Sequence, residues 1–223
     1  MKHLRSIALP FLVLSVLSIA ARAQASPQTY EIDPVHSRVD FLIRHMFSKV
    51  SGGFSKFQGQ VVYDPAAPAA SSVKAVINAG SISTAYEQRD ADLRSPNFFD
   101  VAKFPTITFT SGKITQGETG RLKVEGTLTM HGVTKPVTLD AAFLGSGPGL
   151  DGATRAGFEA TTTIDRKAFG IIWNKTLDQG TLLGDEVSIN LQIEAVVPQP
   201  ESKESKVAQP AKEASKETAK SGK

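Results

Sequence analysis

The sequence predicts an all-β domain of eight antiparallel strands in a meander, with one short helical insertion between the third and fourth strands. Three observations carry this. Eight segments alternate apolar and polar residues with the two-residue period of a half-buried strand. Short stretches of turn-forming residues separate most of them, which favours antiparallel neighbours. Only one interval, 81–103, carries helix signals instead.

The first segment, "SRVDFLIRHM" at 37–46, places Val39, Phe41 and Ile43 on one face and Arg38, Asp40 and Arg44 on the other. His45 falls in register with the apolar set, where an imidazole without a partner is costly. The segments that follow are 54–64, 72–79, 105–111, 121–130, 136–144, 155–165 and 186–196. The last is the clearest, with Val187, Ile189, Leu191 and Ile193 set against Ser188, Asn190, Gln192 and Glu194. "GGF", "DPAAPAAS", "TQGETG", "MHGVTKP", "GSGPGLDG" and "DQGTLLGDE" read as the turns between strands. In the insertion, Thr84 followed by Glu87 has the spacing of a capping box, and Pro96 suits the first turn of a second short helix. The insertion is expected to lie across one end of the sheet and to bring Leu93, Phe98 and Phe99 with it.

The apolar parity mixes small residues (Gly59, Ala75, Ala79, Ser111, Gly126, Ala141, Ala156, Ala160) with Phe41, Phe57, Phe109, Phe143 and Phe158. Eight such strands either close into a barrel with room for an apolar guest or collapse into a filled sandwich. Periodicity leaves both open. If there is a lumen, strands of nine or ten residues make it on the order of 30 Å tall, a shape for an elongated chain.

Both ends of the chain stand apart from this domain, which spans 26–197. Residues 1–25 combine Lys2 and Arg5, an apolar run from 7 to 19, and a small-residue site around 21–25, the pattern of a cleaved secretory signal peptide. Residues 198–223 lack aromatic residues and are rich in Lys, Glu, Ala and Ser, so they are expected to be a disordered tail. The net charge of +3 comes from these ends. Residues 26–197 hold 16 basic and 18 acidic residues, a net of −2, and a domain without a basic field is not expected to bind nucleic acid. No segment of 26–223 is apolar enough to be a transmembrane helix.

The chain has no cysteine, which rules out thiolate zinc sites and cysteine nucleophiles. No nucleophile elbow, phosphate-binding loop or H-E-x-x-H motif occurs. His131 reads as a turn residue, and Asp90 and Asp92 as helix-surface partners of Arg89 and Arg94. His36 and His45 are nine apart and face opposite ways on a regular strand, so no metal site is expected. His45 is either a core histidine satisfied by neighbouring backbone or hydroxyl groups, or a polar handle for a ligand. "WNKT" at 173–176 matches a glycosylation pattern too short to carry weight.

With these residues laid out, the chain resembles the YceI-like family of exported polyisoprenoid-binding proteins. The pieces that carry the resemblance are "DPVHSRVDFLIRHMFSKVSGGFSKFQG", "SISTAYEQRDADLRSPNFFDVAKFPTITFTS", "GTLTMHGVTKPVTLD", "GFEATTTIDRKAFGI" and "GDEVSINLQIEAV". The family's motif positions fall on His36, Ser37, His45, Phe54, Phe57 and Gly59, then on Arg89, Asp90, Leu93, Arg94, Ser95, Phe98 and Phe99. They continue through Pro105, Phe109, Gly132, Phe158, Arg166, Phe169 and Gly170. Asp92 stands where many relatives have histidine. The resemblance implies an eight-stranded lipocalin-like β-barrel, a lumen for a long isoprenoid or related amphiphile, a periplasmic location, and a capacity to form homodimers.

The expected function is that of a non-catalytic carrier without a cofactor, holding a polyisoprenoid, an isoprenoid quinone or a related lipid. The expected lining is Phe41, Ile43, His45, Phe57, Leu93, Phe98, Phe99, Phe109, Phe143, Phe158 and Phe169. Arg89, Arg94 and Arg166 are the candidates for a polar head group, unless nearby Asp90, Asp92, Asp100 or Asp165 pair them. The alternatives are an enzyme acting on a lipid or quinone with His45 as its acid or base, and a structural envelope protein with a filled core.

Overall fold

A computed structural model describes residues 26–178 and 180–199. The expected signal segment and nearly all of the expected tail lie outside them. Strand β1 runs in two pieces, Gln28–Ile32 and Arg38–His45. Strand β2 comprises Ser48–Phe54 and Phe57–Tyr63, and β3 comprises Ser72–Asn78 and Ile82–Ser83. Helix α1, Glu87–Arg94, follows β3. Then come β4 (Thr106–Gln116), β5 (Leu122–Met130), β6 (Val133–Pro148), β7 (Thr154–Asp165) and β8 (Leu183–Val196). The β7–β8 connection holds a 3₁₀ turn, Arg166–Phe169, and a ribbon of Thr176–Leu177 against Gly180–Thr181.

Each strand pairs antiparallel with the next, and β8 returns to both pieces of β1. The sheet is therefore a closed eight-stranded meander. Closure satisfies both edges of every strand, so the sandwich alternative falls.

Several strands are longer than their alternation shows, each for a local reason. The break in β1 is bridged by Ser37: its hydroxyl donates to Glu194 O and accepts from Glu194 N, both at 3.0 Å, in place of a backbone pair with β8. Strand β2 starts at Ser48, before the glycines read as a turn. Gly52 is a strand residue because the Phe41 ring lies over it; a Cβ there would sit 2.5 Å from Phe41 Cζ. Strand β4 passes through a bulge at Gly112 that reverses its parity, so Ile107 and Phe109 face inward before it and Ile114 after it.

Helix α1 exists, but its start differs from the expected capping box. Tyr86 is the cap residue and supplies no side-chain cap bond. Thr84 turns inward instead: its N–H and its hydroxyl both donate to Asp90 Oδ1, at 2.8 and 2.5 Å. Residues 95–103 form successive turns, so Pro96 opens no second helix.

Packing divides the interior into two apolar clusters. One, around Tyr30, Tyr63, Phe109, Leu122 and Ala195, fills the end where β1 begins and β8 finishes. The other, around Phe98, Met130, Phe169 and Ile171, gathers at the end that carries α1 and the β7–β8 connection.

Candidate binding cavity

Between the clusters lies a cavity of about 600 Å³, within the range of small-molecule sites. Its walls are the inward parities of the strands. Ile32, Val39, Phe41, Ile43 and His45 come from β1; Phe57 and Val61 from β2; Val73, Ala75 and Ile77 from β3. Phe109 and Ile114 come from β4, Leu128 and Met130 from β5, Val137 and Leu139 from β6. Phe158 and Ala160 come from β7, and Val187, Ile189, Leu191 and Ile193 from β8. The helical insertion adds Leu93, Phe98 and Phe99, and the β7–β8 connection adds Ile171 and Trp173.

One end is shut by stacked rings. Tyr63 and Phe143 have centroids 4.6 Å apart, Phe158 lies 5.5 Å from each, and Tyr30 reaches Phe158 edge-on at 6.3 Å. Burial raises the Tyr63 phenol above its ordinary pKa. At the other end the lining reaches the exposed residues Tyr86 and Gln88, together with His45, Thr84, Arg89, Asp92 and Arg166; Ser71, Glu159 and Thr162 are further polar members of the walls.

Of the residues expected to line the lumen, Phe41, Ile43, His45, Phe57, Leu93, Phe98, Phe99, Phe109 and Phe158 do so. Phe143 stands behind the lining in the ring stack. Phe169 packs in the second cluster at 2 % exposure. The small inward residues do not simply leave space: the Phe109 ring occupies the place of a Gly126 side chain, where a Cβ would sit 2.6 Å from Phe109 Cζ.

The three candidate arginines separate by partner. Arg94 ties the insertion down, donating to Gly80 O at 3.0 Å and Ile82 O at 2.9 Å and pairing with Glu87 at 3.0 Å. Arg166 reaches the lining but is 3 % exposed and saturated. It donates to Gly184 O at 2.9 Å, to Ile171 O and Trp173 O at 2.8 Å each, and pairs with Asp185 at 3.3 Å. It thereby fixes the irregular start of β8, where the register with β1 shifts between Leu183 and Val187. Burial pulls its guanidinium pKa down, against the nearby carboxylates.

Arg89 differs. Its Nε donates to Thr84 Oγ1 at 2.6 Å and one Nη donates to Thr84 O at 3.0 Å, with the Tyr86 ring 5.6 Å away. Among the described residues it pairs with no carboxylate, so the expected partners Asp90, Asp92, Asp100 and Asp165 hold neither Arg89 nor Arg166. Asp90 is itself buried. Burial pushes its pKa up, and the Thr84 hydroxyl and amide, Ser83 and the Arg94 charge outweigh that, leaving it below its ordinary value. Asp92 accepts from Ser95 Oγ at 3.3 Å and Asn97 Nδ2 at 2.8 Å. The surface ion pairs expected of these aspartates are replaced by hydrogen bonds that shape the loop.

The His45 ring lines the cavity, and among the described residues it makes no side-chain hydrogen bond. The satisfied core histidine expected there is not what the structure has. His131 is the turn residue expected, in left-handed backbone at φ 52°, with Nδ1 donating to Phe169 O at 3.1 Å.

His36 meets Asp33 and Glu194 at the shut end, with ligand-type atoms within 4.8 Å of one another. That set already holds a cation: Arg155 Nη1 lies 3.0 Å from Asp33 Oδ2 and 2.7 Å from Glu194 Oε1. Sequence reasoning missed this cluster, because residues 33, 36, 155 and 194 meet only when β8 closes onto β1.

The family model for the YceI-like domain matches residues 30–195. The chain is 39 % identical over 189 residues to the protein YceI of Salmonella arizonae, an alignment covering 84 % of this chain and 96 % of that one. Among solved structures it is similar to BcnA of Burkholderia cenocepacia, at a TM-score of 0.67 and 26 % identity over 74 % of this chain and 99 % of the other. A polyisoprenoid binding domain from Saccharophagus degradans, implicated in plant cell wall breakdown, shares the fold at a TM-score of 0.56 and 16 % identity, covering 77 % of this chain and 99 % of that one.

Proposed function

Because the chain belongs to the YceI-like family, we propose that it is a non-catalytic carrier that holds a long apolar amphiphile, a polyisoprenoid or an isoprenoid quinone, inside its barrel. The observation that carries the reading is the apolar cavity of about 600 Å³, shut by rings at one end and edged with polar side chains at the other. Burial of an apolar tail against such walls contributes roughly 25 cal/mol per Å², less the cost of ordering the tail. The name of the Saccharophagus neighbour supports the ligand class.

In this reading the tail lies along Phe41, Phe57, Phe109 and Leu191, and the head stays near His45, Thr84 and Arg89. Arg89 is the head-group arginine, since Arg94 and Arg166 are committed to backbone carbonyls. Catalysis by His45 would need a group to orient the ring, and no described side chain holds it. In this reading the carrier is exported to the periplasm, which the signal-peptide pattern of residues 1–25 supports.

Trp173, the chain's single tryptophan, lines the cavity and provides the test. Titration with a polyprenol or a ubiquinone in detergent is expected to change Trp173 fluorescence saturably. Native mass spectrometry of protein isolated from its host is expected to show a bound lipid and a mass lacking residues 1–25. A protein that is empty from its host and gives no saturable response to either probe overturns the carrier reading.

A further inference from the structure

We propose that the polar-edged end of the barrel is a membrane-docking lip: Met46, Phe47, Tyr86 and Ile172 insert into an anionic lipid bilayer, so that cargo moves between bilayer and cavity without crossing water. The proposal rests on the carrier reading and adds the surface through which the carrier loads.

Three separate segments present large apolar side chains to solvent around one opening. Phe47 is 87 % exposed and Met46 40 % at the tip of the β1–β2 turn; Tyr86 before α1 is 55 % exposed, and Ile172 in the β7–β8 connection is 70 %. They share a rim because Met46 N donates to Leu182 O, and Leu182 N to Lys175 O, both at 2.9 Å. Leu182, Tyr86 and Trp173 all line the cavity. Ile172 stands between buried Ile171 and lining Trp173, on a stretch that Arg166 fixes by both neighbours' carbonyls. Its outward direction is therefore built in.

The chemistry of this rim fits an anionic bilayer. Arg44 and Lys49 lie opposite each other on the β1–β2 hairpin, and Lys175 follows the Ile172 stretch. All three are exposed, and none pairs with a carboxylate among the described residues. Of the carboxylates at this end, Glu87 and Asp185 are held by Arg94, Arg166 and Lys167, Asp92 accepts from Ser95 and Asn97, and Asp165 accepts from the Lys167 amide, while Asp178 in the ribbon turn and Glu186 at the start of β8 are exposed without a cation among the described residues. Apolar tips beside free cations are the composition of an interfacial anchor. Four such side chains fall well short of the roughly 800 Å² per partner that a stable dimer buries. The other end also exposes apolar residues, notably Leu150, but the ring stack shuts the cavity there and Asp151, Asp33 and Glu194 surround the Arg155 charge.

The test is flotation of protein lacking residues 1–25 with vesicles of phosphatidylcholine alone or mixed equally with phosphatidylglycerol. The protein is expected to float with the anionic vesicles, less with the neutral ones, and less again in high salt. A Phe47→Ser/Ile172→Ser double variant is expected to bind about tenfold more weakly or worse, while Leu150→Ser binds as the unchanged protein does. Trp173 fluorescence with polyprenol in detergent is read in parallel and should be unaffected in both variants. Three results overturn the proposal: no flotation of the unchanged protein, flotation of the double variant at the unchanged level, or a dimer that Phe47→Ser converts to monomer. Uptake without flotation defeats the docking surface alone. Flotation without uptake defeats the carrier reading while leaving the surface standing.

Discussion

Where β2 ends and β7 begins, Tyr63 lies against Phe143 and Phe158, rings 4.6 to 5.5 Å apart, and Arg155 gathers Asp33, Asp151 and Glu194 outside them. At the opposite end Phe98 and Trp173 pack at 5.1 Å, but the rings that continue from them along β1, β2 and the insertion form a looser chain, Phe41 to Phe54 at 6.1 Å and Phe54 to Phe99 at 5.9 Å. There Arg89 has only Thr84 and a neighbouring ring for company. A ring packed on rings loses dispersion contacts on every side when removed; a ring facing a cavity already lacks them on one side. The ring stack is thus expected to carry more stability per side chain than the cavity wall, whose open face is free to serve a ligand.

The largest expected effect tests that division directly. Tyr63→Ala takes one ring out of the stack, leaving Phe143 and Phe158 without it, and is expected to cost about 3–5 kcal/mol, while Phe41→Ala, on the cavity wall, costs about half as much or less. Urea unfolding of the two variants measures both. Equal losses would mean that the cavity wall is packed like a core and the two ends are not distinct.

Arginines sharpen the contrast within the polar end. Arg166→Ala leaves three carbonyls without their donor and is expected to destabilise the fold by about 2–3 kcal/mol. Arg166→Lys should not restore it, because one ammonium cannot reproduce the planar fork. Arg89→Ala, which takes two donors from Thr84 alone, is expected to cost about 1 kcal/mol, less than Arg166→Ala, and to weaken binding of a polyprenyl phosphate about tenfold, with neutral polyprenol unaffected. If Arg89→Ala loses affinity for both lipids equally, Arg89 shapes the cavity and does not recognise a head group.

The contrast between the ends was unevenly visible in the sequence. Alternation was enough for eight strands and for most of the lining, because a closed barrel turns one parity of every strand inward. It failed where a side chain does a backbone's work or a glycine hides under a ring. Ser37 bridges β1 to β8 across a gap in pairing, Gly52 carries the Phe41 ring, and the Gly112 bulge reverses the parity of β4. The arginines were harder still. Arg89, Arg94 and Arg166 look alike beside aspartates in sequence, and their difference lies in which carbonyls the folded chain brings within reach. Thr84 shows the same limit: its spacing to Glu87 fits a cap, yet its hydroxyl and amide serve Asp90.

The smallest effect belongs to the shut end and gives it a pH dependence. The hydrogen bond from His36 holds the Asp33 carboxyl at about 2, with the Val35 amide and Arg155 adding to it against burial. The same bond raises the His36 imidazole above 6.5; Glu194 adds to the shift and Arg155 opposes it. A carboxylate depressed on folding contributes stability above its unfolded value of 3.8 and loses it as pH falls through about 2. An imidazole raised on folding contributes fully below 6.5 and loses that contribution as pH rises through its folded value. The pair is therefore strongest between pH 3.8 and 6.5, and the unchanged protein should lose a little stability as pH rises above 6.5. His36 is exposed, so solvent keeps the effect small. His36→Gln is expected to flatten that slope in urea midpoints taken across the range while leaving uptake at the far end of the barrel unchanged. A slope that survives the substitution would assign the pH dependence to a group other than the His36–Asp33 pair.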